Sequence, residues 1–239
     1  METNMISNNI IALILTFIVA LLWLRINDYL AHKGYVDSHL SRKFIHIGTG
    51  PFFVLCWLLF NDAPINKYLA ALVPLVFTLQ FLLIGTGLIK DEASVKAMSR
   101  SGDRREILRG PLYYGIIFVL LTIIFWKDTP IGIVALMLMC GGDGLAEILG
   151  RRWGRNELPW SNNKTVIGSM GMFIGGWLLS LLVIWIFSIA GVFSMPFQSY
   201  IFPITIISLV GTFVESLPLE DVDNITVTIS AIILGFLLF

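Results

Sequence analysis

The segment Cys140-Gly-Gly-Asp-Gly-Leu-Ala-Glu-Ile-Leu-Gly-Arg-Arg-Trp-Gly154 interrupts an otherwise apolar run, and its polar character continues through Lys164 to Gly168. It brings carboxylates, glycines and arginines into one short stretch. On a helical wheel at about 100° per residue, four of its residues fall within about 60° of one another: Asp143, Glu147, Gly150 and Gly154. One face of one helix is therefore predicted to carry two acids and two patches of bare backbone.

The composition predicts an integral membrane protein. Of the 239 residues, 56% are hydrophobic and only 13% are charged, whereas an ordinary soluble domain has about 25% charged residues. Sixteen Lys and Arg balance sixteen Asp and Glu, so the net charge gives no argument for a nucleic-acid partner, and none is predicted. The two cysteines match no metal-binding or redox spacing, and we interpret both as small core residues.

Eight apolar runs follow one another along the chain, and a bilayer core needs about 20 residues of helix. They cover residues 5–24, 44–60, 68–89, 111–126, 130–149, 167–189, 199–217 and 225–239. The predicted fold is an all-α, polytopic integral membrane protein, a single domain over residues 1–239 with no soluble part. About eight transmembrane helices are expected, or seven if the short last run does not cross.

The basic residues predict the orientation. The seven connections carry four, one, six, one, four, zero and zero Lys or Arg, and short connections rich in these residues face the cytoplasm. Three connections are thereby predicted to be cytoplasmic, at about 25–43, 90–110 and 150–166. With eight spans the connection at about 218–224, which has no Lys or Arg, is cytoplasmic as well and both termini are external. The first run has no basic segment before it and no small-x-small cleavage site before Arg25, which predicts a retained first span. No Arg-rich and Ser-rich amphipathic transit segment precedes it, which favours a prokaryotic cell membrane or an already processed chain.

Carboxylates at span ends predict a site for phosphate chemistry. An ionisable residue near the centre of a spanning helix costs about 2.5–3.5 kcal/mol on insertion scales, so such residues usually line a functional site. Acids that hold Mg²⁺, basic groups that meet phosphate oxygens and glycines that admit backbone contact are the recurring parts of phosphate-handling enzymes. The four carboxylates at or near span ends are Asp143, Glu147, Glu215 and Asp223.

Each element also has a simpler interpretation. Gly150-x-x-x-Gly154 alone is more often a helix-packing seam than a ligand cradle. The arginines that follow it serve equally well as topology signals, and His46 is as consistent with an interfacial histidine as with a phosphate contact. Asn162-Asn-Lys-Thr165 ends like a P-loop, but no Gly-x-x-x-x-Gly-Lys precedes it, so a Walker-type ATP site is rejected.

A spaced motif runs through the central segment: Asp143-x-x-Ala146-x-x-x-Gly150-x-x-x-Gly154, then Lys164 and Gly168. It resembles the CTP-binding motif of the membrane lipid kinases that use CTP, namely the phytol and farnesol kinases, dolichol kinase and the CTP-dependent diacylglycerol kinase, which are related to the phosphatidate cytidylyltransferases. Three further segments are similar to the phytol kinase branch in particular: Arg42-Lys43-x-x-His46, the stretch from Arg104 to Tyr114, and Glu215-Ser followed by Asp223-Asn224.

The resemblance implies transfer of the γ-phosphoryl group of CTP to the hydroxyl of an isoprenoid alcohol in the bilayer, at the cytoplasmic interface, giving a prenyl monophosphate and CDP. It implies a catalytic set of Asp143, Glu147, Lys164 and Asp223, in which Glu147 or Asp223 accepts the alcohol proton. The implied ligands of Mg²⁺ or Mn²⁺ are Asp143 with one or more of Glu215, Asp221 and Asp223. The implied nucleotide contacts are Arg42, Lys43, His46, Ala146, Gly150, Gly154, Lys164, Gly168, Arg104, Arg105 and Asn224.

Other functions remain open at this point. A membrane cytidylyltransferase also uses CTP but releases pyrophosphate and makes a CDP-lipid, and dolichol or diacylglycerol kinases differ only in the alcohol. A small ion-coupled or proton-coupled transporter predicts acids spread through the membrane depth, whereas the acids here are predicted at one interface. Phytol, geranylgeraniol and farnesol are all compatible with the sequence, and the oligomeric state is open.

Overall fold

The computed structural model describes residues 2–99, 101–219 and 222–239, and in these ranges the chain is almost entirely helical. Two short 3-10 segments, Trp57–Leu59 and Arg104–Leu108, and a π-helical turn, Leu138–Gly142, adjoin the α-helices. The α-helices are α1 (Glu2–His32), α2 (Ser38–Cys56), α3 (Asn66–Thr86), α4 (Glu92–Met98), α5 (Gly110–Ile124), α6 (Pro130–Met137), α7 (Asp143–Trp153), α8 (Val166–Ile189), α9 (Gln198–Glu215) and α10 (Asp223–Leu238).

Six helical segments of the described chain are long and apolar enough to cross a membrane. They are Asn8–His32, Asn66–Thr86, Arg104–Ile124, Pro130–Trp153, Val166–Ile189 and Gln198–Glu215. The other two predicted runs are also helical: α2, which begins with a charged turn, and α10, which has 16 residues. The all-α, multi-pass membrane fold is therefore confirmed, and the predicted number of eight spans is approximate because these two helices are short or polar at one end.

Helix α6, the π-helical turn and α7 form one continuous rod, Pro130–Trp153, at the centre of the bundle. Every residue of α6 and of the π-helical turn is buried, and the rod packs against α2, α8 and α10. Glycines allow this close approach: a Cβ at Gly142 would lie 2.6 Å from the Sδ atom of Met172 in α8. The rod therefore sets the position of the α7 side chains that follow the π-helical turn.

The π-helical turn ends immediately before Asp143, the first residue of α7. A π-turn inserts an extra residue into a helical turn, and such insertions are frequent at functional sites because they re-aim the side chains beyond them. Composition alone did not predict this turn. Its consequence is that the acidic face of α7 points towards α2, whose Ile47 and His46 lie against Gly144.

The predicted connection at 150–166 is not coil but contains a small antiparallel hairpin, β1 (Glu157–Leu158) paired with β2 (Ser161–Thr165). Its last residue, Thr165, is the N-cap of α8, and its hydroxyl oxygen accepts a hydrogen bond from the Gly168 amide at 3.1 Å. A side-chain acceptor at this position satisfies an amide that the helix leaves unpaired. The hairpin thus brings Lys164 to the beginning of α8 in a fixed direction.

The other predicted connections are shorter than expected because helices extend into them. Helix α1 continues to His32 and α2 begins at Ser38, so Arg42 and Lys43 are helical rather than in a loop. The connection at 90–110 contains α4 and the 3-10 segment, and α10 begins at Asp223 within the connection at 218–224. Arg42 and Lys43 therefore project from the beginning of α2.

Candidate active site

Most of the predicted site residues come from elements far apart in the chain but line one cavity of about 1560 Å³. The cavity has a polar end and an apolar arm. The polar end is built where α2 and α10 begin, where α7 passes, and where β2 leads into α8. The predicted residues that line it are Arg42, Lys43, His46, Asp143, Ala146, Glu147, Gly150, Lys164, Gly168, Glu215, Asp223 and Asn224.

The first charged group joins α2 to the acidic face of α7, and we call it the α2–α7 group: Arg42, Lys43, His46, Asp143 and Glu147. The Lys43 ammonium is ion-paired with Glu147, and its Nζ atom lies 3.5 Å from Oδ2 of Asp143. Arg42, which neighbours Lys43 on α2, also approaches Glu147: its Nη2 atom lies 3.8 Å from Oε1 of Glu147. Lys43 is 9% exposed, so this charge is held in a site shielded from water and depends on the carboxylates around it.

His46 has a defined orientation in the α2–α7 group. Its Nε2 atom lies 3.2 Å from Oδ2 of Asp143 and 3.1 Å from the backbone oxygen of Met139. Both neighbours are acceptors, so Nε2 carries the hydrogen, and Nδ1 is the acceptor nitrogen when the ring is neutral. On the backbone side, the Tyr114 hydroxyl donates to the carbonyl oxygen of His46 at 2.9 Å.

The second charged group joins β2 to α9 and α10, and we call it the Lys164 group: Lys164, Glu215 and Asp223. The Lys164 ammonium is ion-paired with Glu215, and its Nζ atom lies 3.3 Å from Oδ2 of Asp223. Burial opposes the charge on Lys164, but the carboxylates of Glu215, Asp223 and Asp143 outweigh this effect and raise its pKa above the usual value. Because Asp143 also acts on Lys164, the two groups belong to one electrostatic site.

The glycines of the motif lie where α7 packs against the beginning of α8. A Cβ at Gly150 would lie 3.2 Å from the Thr165 hydroxyl oxygen and 3.4 Å from the Cα of Gly168. A Cβ at Gly154 would lie 2.5 Å from the same hydroxyl oxygen and would also contact the carbonyl oxygen of Gly150. Gly150 and Gly168 also line the cavity, whereas Gly154 does not, so packing is the role that its contacts support.

The described structure places two predicted arginines away from the site. Arg104 and Arg105 are exposed and do not line the cavity. The guanidinium of Arg104 instead lies against Gly87, which ends α3 with a left-handed φ of +83°; a side chain there would be strained and would collide with the arginine. Asp221, a predicted metal ligand, lies outside the described residues.

The described residues contain no group of three or more His, Cys, Asp or Glu side chains placed to hold a metal ion. The predicted metal ligands are instead divided between the two charged groups: Asp143 lies beside Lys43 and His46, and Glu215 and Asp223 share Lys164. A cage of protein ligands is therefore not formed by these residues in this conformation.

Sequence reasoning missed two cavity-lining residues, Gln80 and Tyr114. Gln80 is a polar side chain inside the apolar helix α3, and a polar residue at membrane depth is itself a signal of function that was available in the sequence. Tyr114 was quoted only as the end of a similar segment. Its position beside His46, with 4.5 Å between the ring centroids, is a tertiary contact that no local pattern encodes.

Comparison with known proteins identifies the family to which the chain belongs. The chain is 39% identical over 238 residues to "Farnesol kinase, chloroplastic" of Arabidopsis thaliana, covering 99% of this chain and 77% of that protein. It is 42% identical over 214 residues to "Probable phytol kinase, chloroplastic" of Triticum aestivum, covering 89% and 71%. The chain belongs to the phytol and farnesol kinase family. "Phytol kinase 1, chloroplastic" of Arabidopsis thaliana is 36% identical over 214 residues, covering 89% of this chain and 70% of that protein.

Membership of the phytol and farnesol kinase family confirms the predicted branch of the lipid-alcohol kinases. No family model and no solved structure matches the chain. The relatives are named as chloroplast proteins of plants, so the predicted prokaryotic cell membrane is not borne out. The prediction of a multi-pass membrane protein is supported by the apolar helices.

Proposed function

We propose that the protein transfers the γ-phosphoryl group of CTP to the hydroxyl of an isoprenoid alcohol, giving a prenyl monophosphate and CDP. Its class, a prenyl-alcohol kinase, follows from its family, and the nucleotide, the metal and the roles of individual residues are our proposal. One observation carries it: the α2–α7 group and the Lys164 group line the polar end of the same cavity, and the other end of that cavity is apolar.

The phosphates of the nucleotide are proposed to meet Lys43, Lys164 and Arg42. Phosphoryl transfer depends on positioning the reactants and neutralising the charge that builds up on the phosphoryl oxygens, and there is little covalent chemistry for the protein to do. Each of these cations already lies beside a carboxylate, so their positions are set before substrate arrives. The backbone at Gly150 and Gly168 lines the same space and permits close approach of the nucleotide.

A divalent ion, Mg²⁺ or Mn²⁺, is proposed to be held by Asp143 and by Asp223 or Glu215. The donor chemistry fits, because Mg²⁺ is usually bound by one or two carboxylates together with substrate phosphates and water rather than by a cage of protein ligands. The division of Asp143, Asp223 and Glu215 between the two charged groups agrees with this mode of binding. When bound, the ion supplies neutralising charge to the phosphate oxygens.

The alcohol proton has two candidate acceptors, Glu147 in the α2–α7 group and Asp223 in the Lys164 group. Substitution separates them. Replacing the acceptor, by Glu147→Gln or Asp223→Asn, is expected to lower kcat with little change in the KM for CTP, because a base acts in the transition state. Replacing a residue that only holds the nucleotide is expected to raise the KM for CTP.

The site is proposed to face the side of the membrane that carries the basic connections, which the charge count predicts to be cytoplasmic. Arg42 and Lys164 come from two connections whose basic residues predict the same side, and Asp223 comes from a connection that the alternation of spans assigns to that side. All three line one cavity. This meeting supports a topology in which α2, α8 and α9 all cross, because a helix that failed to cross would carry the following charges to the opposite face.

The test is phosphoryl transfer in detergent or liposomes with γ-labelled CTP and a prenyl alcohol. Asp143→Asn and Lys164→Ala are each expected to lower turnover by about a hundredfold or more, the usual effect of removing a group that stabilises transition-state charge. Arg105→Ala is the matched control, because Arg105 lies outside the cavity. Unchanged turnover in both site variants contradicts the site, preference for ATP contradicts the nucleotide alone, and release of pyrophosphate identifies a cytidylyltransferase.

A further inference from the structure

The cavity continues from the polar end into an arm with hydrophobic walls, which we call the apolar arm. It extends among α1, α2, α3 and α5, away from the charged groups. Six residues define it: Ala20, Phe52, Phe53, Val73, Phe77 and Phe118. A hydrophobic cavity joined directly to a charged site is the form expected for a ligand with a polar head and an apolar body.

Four helices enclose the apolar arm. Helix α1 packs against both α2 and α3, and α3 packs against α5. Helices α2 and α5 meet through aromatic rings: the centroids of Phe53 and Phe118 are 5.7 Å apart, and those of His46 and Tyr114 are 4.5 Å apart. The same α2–α5 contact that borders the apolar arm therefore also borders the polar end at His46.

The apolar arm has a limited length. On α2 the lining runs from Lys43 at the polar end to Phe53, a separation of ten residues, or roughly 15 Å at about 1.5 Å per residue. At the far end, the lining residues Phe53, Val73 and Phe118 are only 6%, 2% and 2% exposed. Beyond them lies the fully buried Trp57, whose ring is 5.9 Å from that of Phe53. These buried residues bound the far end of the apolar arm on α2, α3 and α5.

We propose that the apolar arm holds the hydrocarbon tail of the alcohol, and that the floor formed by Phe53, Val73 and Phe118 sets the longest tail that is phosphorylated efficiently. This inference rests on the proposed function, which places the phosphoryl group at the polar end. An isoprenoid chain seated with its hydroxyl at the Lys43 end of the cavity lies along the apolar arm and ends at the floor. A tail longer than the apolar arm prevents the hydroxyl from reaching the phosphate.

The test compares alcohols of two, three and four isoprene units: geraniol, farnesol and geranylgeraniol. Ala20→Phe places a ring within the apolar arm and is expected to lower the kcat/KM ratio of geranylgeraniol to geraniol by about tenfold or more, the scale of discrimination that a hydrophobic pocket provides. The KM for CTP should not change. Phe118→Ala opens the floor and is expected to raise the same ratio. Leu22→Phe is the control, because this α1 residue is 55% exposed and does not line the cavity.

The outcomes separate this inference from the function on which it rests. If the unaltered protein phosphorylates no prenyl alcohol, the proposed function is wrong. If it phosphorylates them, and Ala20→Phe changes the kcat/KM values of the three alcohols no more than Leu22→Phe does, only the placement of the tail in the apolar arm is wrong. Ala20→Phe decides the question even if Phe118→Ala does not fold, because the two changes alter the length of the apolar arm in opposite directions and at different helices.

Discussion

Removing the Lys164 ammonium tests both the stability and the chemistry of the Lys164 group. Lys164→Met keeps much of the side-chain length but leaves Glu215 without its cation. The Glu215 side chain is only 5% exposed, while that of Lys164 is 24% exposed. Water therefore reaches the lysine more easily than the glutamate, and the variant leaves a buried carboxylate with Asp223, another acid, as its neighbour.

The expected loss follows from that burial. Breaking a buried ion pair by removing one partner costs about 3–5 kcal/mol because the remaining charge is left uncompensated. The partial exposure of Lys164 places the loss at the lower end, about 3 kcal/mol, or about a hundredfold in the folding equilibrium. In the double variant with Glu215→Gln the orphaned charge is gone, so stability should return to within about 1 kcal/mol of the starting protein.

The assay measures unfolding in detergent and turnover of γ-labelled CTP on the same samples. Stability should recover in the double variant while turnover stays about a hundredfold low, because the positive charge that meets phosphate is still missing. Lys127→Met is the control: Lys127 pairs with Asp62, which is 95% exposed, and donates to the Phe60 carbonyl oxygen at 2.8 Å, so its loss should cost about 1–3 kcal/mol with unchanged turnover. Recovery of turnover in the double variant would refute the phosphate role, and an unchanged stability in Lys164→Met would refute the burial argument.

Three further outcomes are expected. Gly154→Ala should cost about 1–3 kcal/mol of stability, because its Cβ would lie 2.5 Å from the Thr165 hydroxyl oxygen. Gly150→Ala should change stability little but raise the KM for CTP. Equal effects of the two variants on stability and on the KM for CTP would contradict this difference between a packing glycine and a cavity-lining glycine. Gln80→Leu should lower kcat/KM for the alcohol by about tenfold without changing the KM for CTP, since Gln80 is a polar group in the cavity wall. Because the pKa of Lys164 is raised, its stabilising charge is present below the pKa of about 10.4 of an unfolded lysine and is lost only as pH rises through the higher folded value. A loss of the stability difference between the protein and Lys164→Met between pH of about 7 and about 9 would contradict this.

The elements that the sequence predicts well depend on local pattern. The eight apolar runs all form helices because the bilayer requires long stretches of uninterrupted hydrophobicity, which can be counted directly. The shared face of Asp143 and Glu147 follows from helical periodicity alone, and both residues do contact Lys43. The partner itself was not predictable by periodicity, since it lies on a different helix.

The elements that the sequence does not predict depend on single-residue offsets or on distant contacts. The π-helical turn before Asp143 adds one residue to a turn, a change that leaves the hydrophobic pattern intact. The strand Glu157–Leu158 has two residues, too few to show alternation. The basic segment containing Arg104 resembled a phosphate-binding element, but its packing against the left-handed end of α3 turns this arginine away from the cavity.

Two of the central glycines, Gly150 and Gly168, combine helix packing with a position in the cavity wall. Gly150 and Gly168 are in contact distance across the junction of α7 and α8, since a Cβ on the first would lie 3.4 Å from the Cα of the second. Both also line the cavity. Without side chains, the two helices approach closely, and this approach carries Lys164, four residues before Gly168, towards the charge of Asp143. The packing of these glycines therefore builds the cavity wall and draws the two charged groups into one site.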